Sequence, residues 1–136
     1  MRTTLYALFG IVFSLGLRPP SVCAQAPDTT YLARGRSVFA LFTNDKLQQL
    51  WAQFGPEMRG MARSVSRFEG FRKTILTRYG KETKVLQESV EHEGDLIVYV
   101  RESRFDKAHT PVQVRWSFHP DGKVAAFQFQ MRERRP

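Results

Sequence analysis

The chain has 136 residues, 21 basic and 13 acidic side chains, a net charge of +8 and one cysteine. That length has room for one domain, and a single cysteine excludes a disulfide scaffold within the chain. The basic residues are dispersed apart from Arg132, Arg134 and Arg135, and no interleaving of aromatic and basic residues marks a nucleic-acid platform.

The first stretch reads as a leader. Arg2 precedes Leu5–Leu17, an uncharged and mostly apolar run of 13 residues. Arg18-Pro19-Pro20 ends it, and Ala24-Gln25-Ala26 has the small-x-small pattern of a signal-peptidase site. Residues 1–26 are therefore expected to be a signal peptide, with an uncleaved N-terminal anchor as the alternative. The run is shorter than the roughly 20 residues a membrane span needs. Cys23 raises lipidation as a second alternative, but Pro20-Ser21-Val22 make a poor lipid-attachment box. Cleavage after Ala26 leaves a single domain, 27–136, with no cysteine, 19 basic residues and 13 acidic ones. Such a domain must be held by its core alone. The expected location is periplasmic or extracellular. The remaining positive charge fits either a solvated surface or attraction to anionic envelope components.

Pro27–Thr30 leads into the helical half, with Asp28, Thr29 or Thr30 as candidate N-cap. Leu32, Gly35, Phe39 and Phe42 recur at helical spacing beside Val38, which predicts a helix to about Thr43. Arg34 and Arg36 flank this stripe and are expected to reach water. Asp45 and Gln48 form a capping-box pattern ahead of Leu47, Leu50, Trp51 and Phe54. Gly55-Pro56 ends that second helix. Glu57–Ala62 reads as a further turn with Met58 and Met61 inward. Ser66 and Glu69 form another capping-box pattern, and the helix they open is expected to bury Phe68, Phe71, Ile75 and Tyr79, ending at Gly80.

Strands follow. Lys81–His92 carries Val85, Leu86 and Val90 among several charges, which suits an edge strand. Gly94-Asp95 turns the chain into Leu96–Phe105, which is apolar on both faces through Tyr99 and so reads as central. Val112, Val114, Trp116 and Phe118 alternate with Gln113, Arg115 and Ser117, the period of a strand with one buried face. Pro120-Asp121-Gly122 marks a hairpin before Lys123–Met131. Helices followed by four antiparallel strands define an α+β fold, with the N-terminal helices packed on the sheet.

The order of elements resembles the NTF2-like, or cystatin-like cone, superfamily. The residues that carry the resemblance are Val38-Phe39 with Phe42, Leu50-Trp51 with Phe54, and Phe71 with Tyr79-Gly80. Tyr99-x-Arg101, Phe105, Val114-x-Trp116 and Pro120-Asp121-Gly122-Lys123-Val124 complete the set. More narrowly, the chain is similar over about residues 30–131 to a bacterial domain of unassigned function. That domain occurs alone or attached to serine hydrolases of the β-lactamase and penicillin-binding type, or to α/β-hydrolases. The resemblance implies a curved four-stranded sheet wrapped round a space closed by helices, which in some members holds a substrate and in others is filled or binds a partner.

No reaction is legible in the residues. There is no Gly-x-Ser-x-Gly elbow, no Ser-x-x-Lys and no Gly-rich phosphate loop. His92, His109 and His119 fall at different turns, too far apart for a shared metal, and no cofactor is expected. Glu88 and Glu102 are the candidate general bases of a small cavity enzyme of the isomerase or dehydratase kind. An adjacent arginine, however, would lower such a carboxylate's pKa and suit a structural ion pair better. Trp51, Phe54, Met58, Tyr99, Arg101 and Trp116 are the candidate pocket residues, with plain core filling as the alternative. The expected role is a non-catalytic exported domain. It would bind a small apolar ligand or a protein, with an envelope hydrolase and a second copy of the chain as candidate partners.

Overall fold

The computed structural model describes residues 26–132. The expected leader up to Gln25, with Cys23, lies outside the described residues, as do Arg134 and Arg135. Four helices come first: α1 (Asp28–Thr43), α2 (Leu47–Gln53), α3 (Pro56–Ala62) and α4 (Val65–Tyr79). Four strands follow: β1 (Glu82–Glu93), β2 (Leu96–Phe105), β3 (Val112–Phe118) and β4 (Val124–Met131). They pair antiparallel in the order β1-β2-β3-β4, so the α+β expectation holds as helices packed on an open antiparallel meander.

The register explains which side chains meet the helices. Tyr99 lies opposite Trp116, and Trp116 opposite Phe127. Arg101 lies opposite Val114 on one side and Glu88 on the other. Side chains two apart on a strand share a face, so these residues form one inner surface. β2 is buried continuously from Ile97 to Val100, as a strand flanked on both sides should be. β1 is the charged edge, and two register shifts interrupt its pairing with β2. Its Val85 and Leu86 are exposed, whereas Val90 packs partly against the core.

Trp116 is sealed in the middle of that inner surface. Its ring stacks 4.2 Å from Phe127 and meets Phe42 of α1 edge-on at 6.1 Å. Phe68 of α4 meets Phe54 edge-on at 5.1 Å. Aromatic pairs of this kind add about 1 kcal/mol each beyond the area they bury. The helices therefore close over the sheet with rings rather than leaving a central space.

Several local expectations are corrected. Pro27 occupies the N-cap position of α1, and Asp28 instead reaches the ring of His92. Asp45 does not cap α2; it adopts a positive φ of 60° and pairs with Arg72. Ser64, not Ser66, caps α4, its hydroxyl accepting from the Arg67 N–H, while Glu69 pairs with Lys73. Phe71 is 47% exposed because the inward stripe of α4 is Phe68, Arg72, Ile75 and Tyr79. Residue 71 falls one position off that stripe. Met58 is buried as expected, but Met61 is 62% exposed at the end of a seven-residue helix. Arg34 donates to the Gly122 carbonyl, at 2.9 Å, instead of standing free.

Candidate ligand groove

The inner sheet face has an ionic half beside its aromatic one. Glu88 of β1 accepts from Arg36 of α1, from the Tyr99 hydroxyl and, at 2.8 Å, from Arg101. Arg101 also forks onto both oxygens of Glu82, at 2.8 and 2.6 Å. Two arginines and two glutamates balance, so the half-buried cluster carries no net charge. That is the condition under which buried charges are tolerated.

Gly35 makes this arrangement possible. A Cβ there would overlap the Tyr99 ring, so only glycine lets α1 lie directly on it. Its position in the apolar stripe of α1 was visible in the sequence; the ring beneath it was not.

The cluster fixes the protonation states of its members. The Arg36 guanidinium, helped by Tyr99 and Arg101 and opposed by burial, holds the Glu88 carboxyl down at about 2. Burial, together with the Glu88 carboxylate, pushes the Tyr99 phenol up to about 12. The bond to Glu82 raises Arg101 further above its ordinary value. None of the three exchanges a proton near neutral pH, and a general base needs a pKa near its working pH.

Next to this cluster lies an open groove of about 660 Å3. Its floor is Phe39 of α1, Leu76 of α4 and Phe105 of β2. Glu82 and Phe39 join groove and cluster: Glu82 lines the wall while holding Arg101, and the Arg101 guanidinium sits 4.8 Å above the Phe39 ring. Arg72 also lines the groove. It donates to the Phe42 carbonyl and, at 2.9 Å, to the Thr43 carbonyl, closing the last turn of α1 where a cation complements the helix dipole.

The back of the groove is braced. Gly80 has a φ of 77°, and a Cβ there would run into the Asp106 carboxylate. Asp106 accepts from the Lys81 N–H at 2.9 Å, its own N–H donates to the Lys81 carbonyl, and Lys107 N–H donates to the Tyr79 carbonyl. This bracing presents two exposed lysines, Lys81 and Lys107, at the rim. Neither enters any of the ion pairs among the described residues. Asp106 and Glu82 line the groove too, Asp106 held by the Lys81 N–H and Glu82 by Arg101, so with Arg72 the lining carries three cations to two carboxylates. An apolar floor with that balance suits a small organic anion.

The six residues singled out from the sequence do not gather round one opening. Phe54, Tyr99 and Trp116 are buried in the core. Trp51 is partly exposed and lies against Arg59, 5.7 Å from the guanidinium to the ring. Arg101 stands behind the groove wall. Met58 lines a separate cavity between α3, α4 and β4. The groove is built from three separate stretches that share no motif, and no local signal in the sequence could have assembled them.

The other titratable candidates are placed as follows. Glu102 lies on the outer face and pairs with Arg132. His92 bonds Asp28 at 2.9 Å and His119 bonds Glu57 at 3.0 Å. His109 is exposed in the loop between β2 and β3 and forms no ion pair among the described residues. Among the described residues no three His, Cys, Asp or Glu side chains come together as a metal site, and no helix is long and apolar enough to cross a membrane.

No protein-family model matches the chain, and neither the curated proteins nor the solved structures give a match. The fold defines the class: an α+β protein with four helices over a four-stranded antiparallel meander.

Proposed function

We propose that this chain is an exported, non-catalytic binding domain of the NTF2-like kind, and that its ligand is a small organic anion with an apolar body. The observation that carries the reading is the groove at Lys81 and Lys107. Its floor is apolar, its rim cations are unpaired among the described residues, and its walls are held by bonds that do not depend on a ligand. Export and the NTF2-like assignment rest on the leader pattern and on the order of helices and strands.

The cavity-enzyme alternative has less support. Its two carboxylate candidates, Glu88 and Glu102, are both ion-paired, and Glu88 stays ionised down to about pH 2. None of the three histidines lines the groove, and His92 and His109 are exposed. Binding to the sheet's outer face, by a hydrolase or a second copy, is also less favoured. Cross-strand pairs of Arg115 with Glu91 and Glu93 occupy that surface.

The test is calorimetric titration of the purified protein with 2-naphthoate and with the neutral 2-naphthalenemethanol. The carboxylate is expected to bind and the alcohol to bind at least about tenfold more weakly, since a charge-assisted contact is lost. The double variant Lys81→Gln/Lys107→Gln should remove that preference. Equal binding of both probes, or a preference that survives the double variant, would contradict the proposal.

A further inference from the structure

A second concavity, of about 290 Å3, lies at the corner between α3, α4 and β4, away from the groove. Met58, Met61, Phe71 and Phe127 form its walls. Met61 and Phe71 are two of the most exposed large apolar side chains among the described residues, and both belong to this one corner. Exposed apolar side chains scattered singly are ordinary, whereas these two share the lining of one concavity. Methionines adapt their shape to an apolar guest because the side chain is unbranched and polarizable.

The sign of the guest is set by two arginines. Arg63 and Arg67 line the same concavity, are exposed, and enter no ion pair among the described residues. The nearby acids are committed elsewhere, Glu57 to His119 and Glu69 to Lys73. Arg63 is also held in an unusual backbone state. Its φ is 66° and its ψ −44°, and the Ser64 N–H donates to the Ala62 carbonyl at 2.8 Å. This is a γ-turn with positive φ at a non-glycine residue, a conformation that costs on the order of 1–3 kcal/mol. The turn brings the chain from α3 into α4 and leaves the Arg63 side chain at the mouth.

We infer that this corner binds a single-chain anionic amphiphile, a free alkyl carboxylate whose chain enters between Met58, Met61, Phe71 and Phe127 while its head meets Arg63 and Arg67. The concavity is walled by two helices and a strand, so it suits one chain in monomeric form better than a flat bilayer surface. The inference does not depend on the groove at Lys81 and Lys107, which has its own walls and its own cations.

The test uses dodecanoate below its micelle concentration, with dodecyltrimethylammonium as the cation of equal chain length and sedimentation with phosphatidylglycerol vesicles as a third arm. The carboxylate should bind and the ammonium should bind at least about tenfold more weakly. Arg63→Gln/Arg67→Gln should abolish the difference, and Met61→Glu should abolish binding. Met61 is already exposed, so Met61→Glu tests the site without threatening the fold. All titrations are made on the Lys81→Gln/Lys107→Gln protein, whose groove has lost its rim lysines, so the carboxylate preference that remains belongs to this corner. The inference is overturned if the ammonium binds equally well, if the arginine variant keeps full discrimination, or if the protein binds vesicles but not the monomer. It is also overturned if Met61→Glu dissociates a dimer, which would make the corner a contact between copies.

Discussion

The inner face of the sheet is filled in two ways. Around Trp116 it is closed by rings: Phe42, Phe68 and Phe127 pack against one another and leave the indole fully buried. Around Arg101, two rows along, it is closed by charges: Glu82, Glu88, Arg36 and the Tyr99 hydroxyl. The aromatic half seals completely, through stacked and edge-on rings. The ionic half needs each partner at a set distance, and that rigidity extends through Glu82 and Phe39 into the open groove. One half supplies stability; the other borders the open groove.

The sharpest way to break both halves at once is at Gly35. A side chain there collides with the Tyr99 ring at the centre of the α1–sheet contact. Gly35→Val is expected to prevent folding, read as loss of a cooperative thermal transition. Trp116→Ala should come next and cost about 4 kcal/mol in denaturant unfolding, the range for a large buried aromatic. It should leave the groove's preference for 2-naphthoate intact in the protein that remains folded.

Glu88→Gln touches only the ionic half. It leaves Arg36, Arg101 and Tyr99 without their shared carboxylate and should cost about 2 kcal/mol, the scale of a hydrogen bond to a charged group. The same carboxylate predicts a pH dependence. Its folded-state pKa, about 2, lies below the ordinary carboxylate value of 4.5. Its contribution is therefore complete above about pH 4.5 and is lost as pH falls towards 2. Denaturant midpoints measured across that window should decline less steeply in Glu88→Gln than in the unaltered protein. The smallest expected effect on stability is that of Lys81→Gln/Lys107→Gln, within about 0.5 kcal/mol, because both side chains are exposed and unpaired among the described residues. A larger loss would mean that the lysines brace the groove.

What could be read in advance follows the range of the signals. β2 and β3 were legible to the residue, because alternation and flanking turns are local. The end of α1 at Thr43 was legible for the same reason. The rotation of α4 was not: Phe71 and Arg72 are adjacent, and packing against α1 decided which of them turned inward. Tyr99, Arg101 and Trp116 were recognised as inner-face residues, but a strand pattern does not say whether helices will cover that face. Lys81 and Lys107 carried no motif. They became neighbours only through the pairing of Lys81 with Asp106 at the junction of α4, β1 and β2.

The proposed ligand meets this protein at the groove and not within the sealed interior. Intermolecular nuclear Overhauser effects from 2-naphthoate test it most directly. Contacts are expected from the naphthalene protons to the Leu76 methyls and the Phe105 ring, with none to the Trp116 indole. Contacts to Trp116 would show that the aromatic half opens and that the ligand enters the interior instead of the groove.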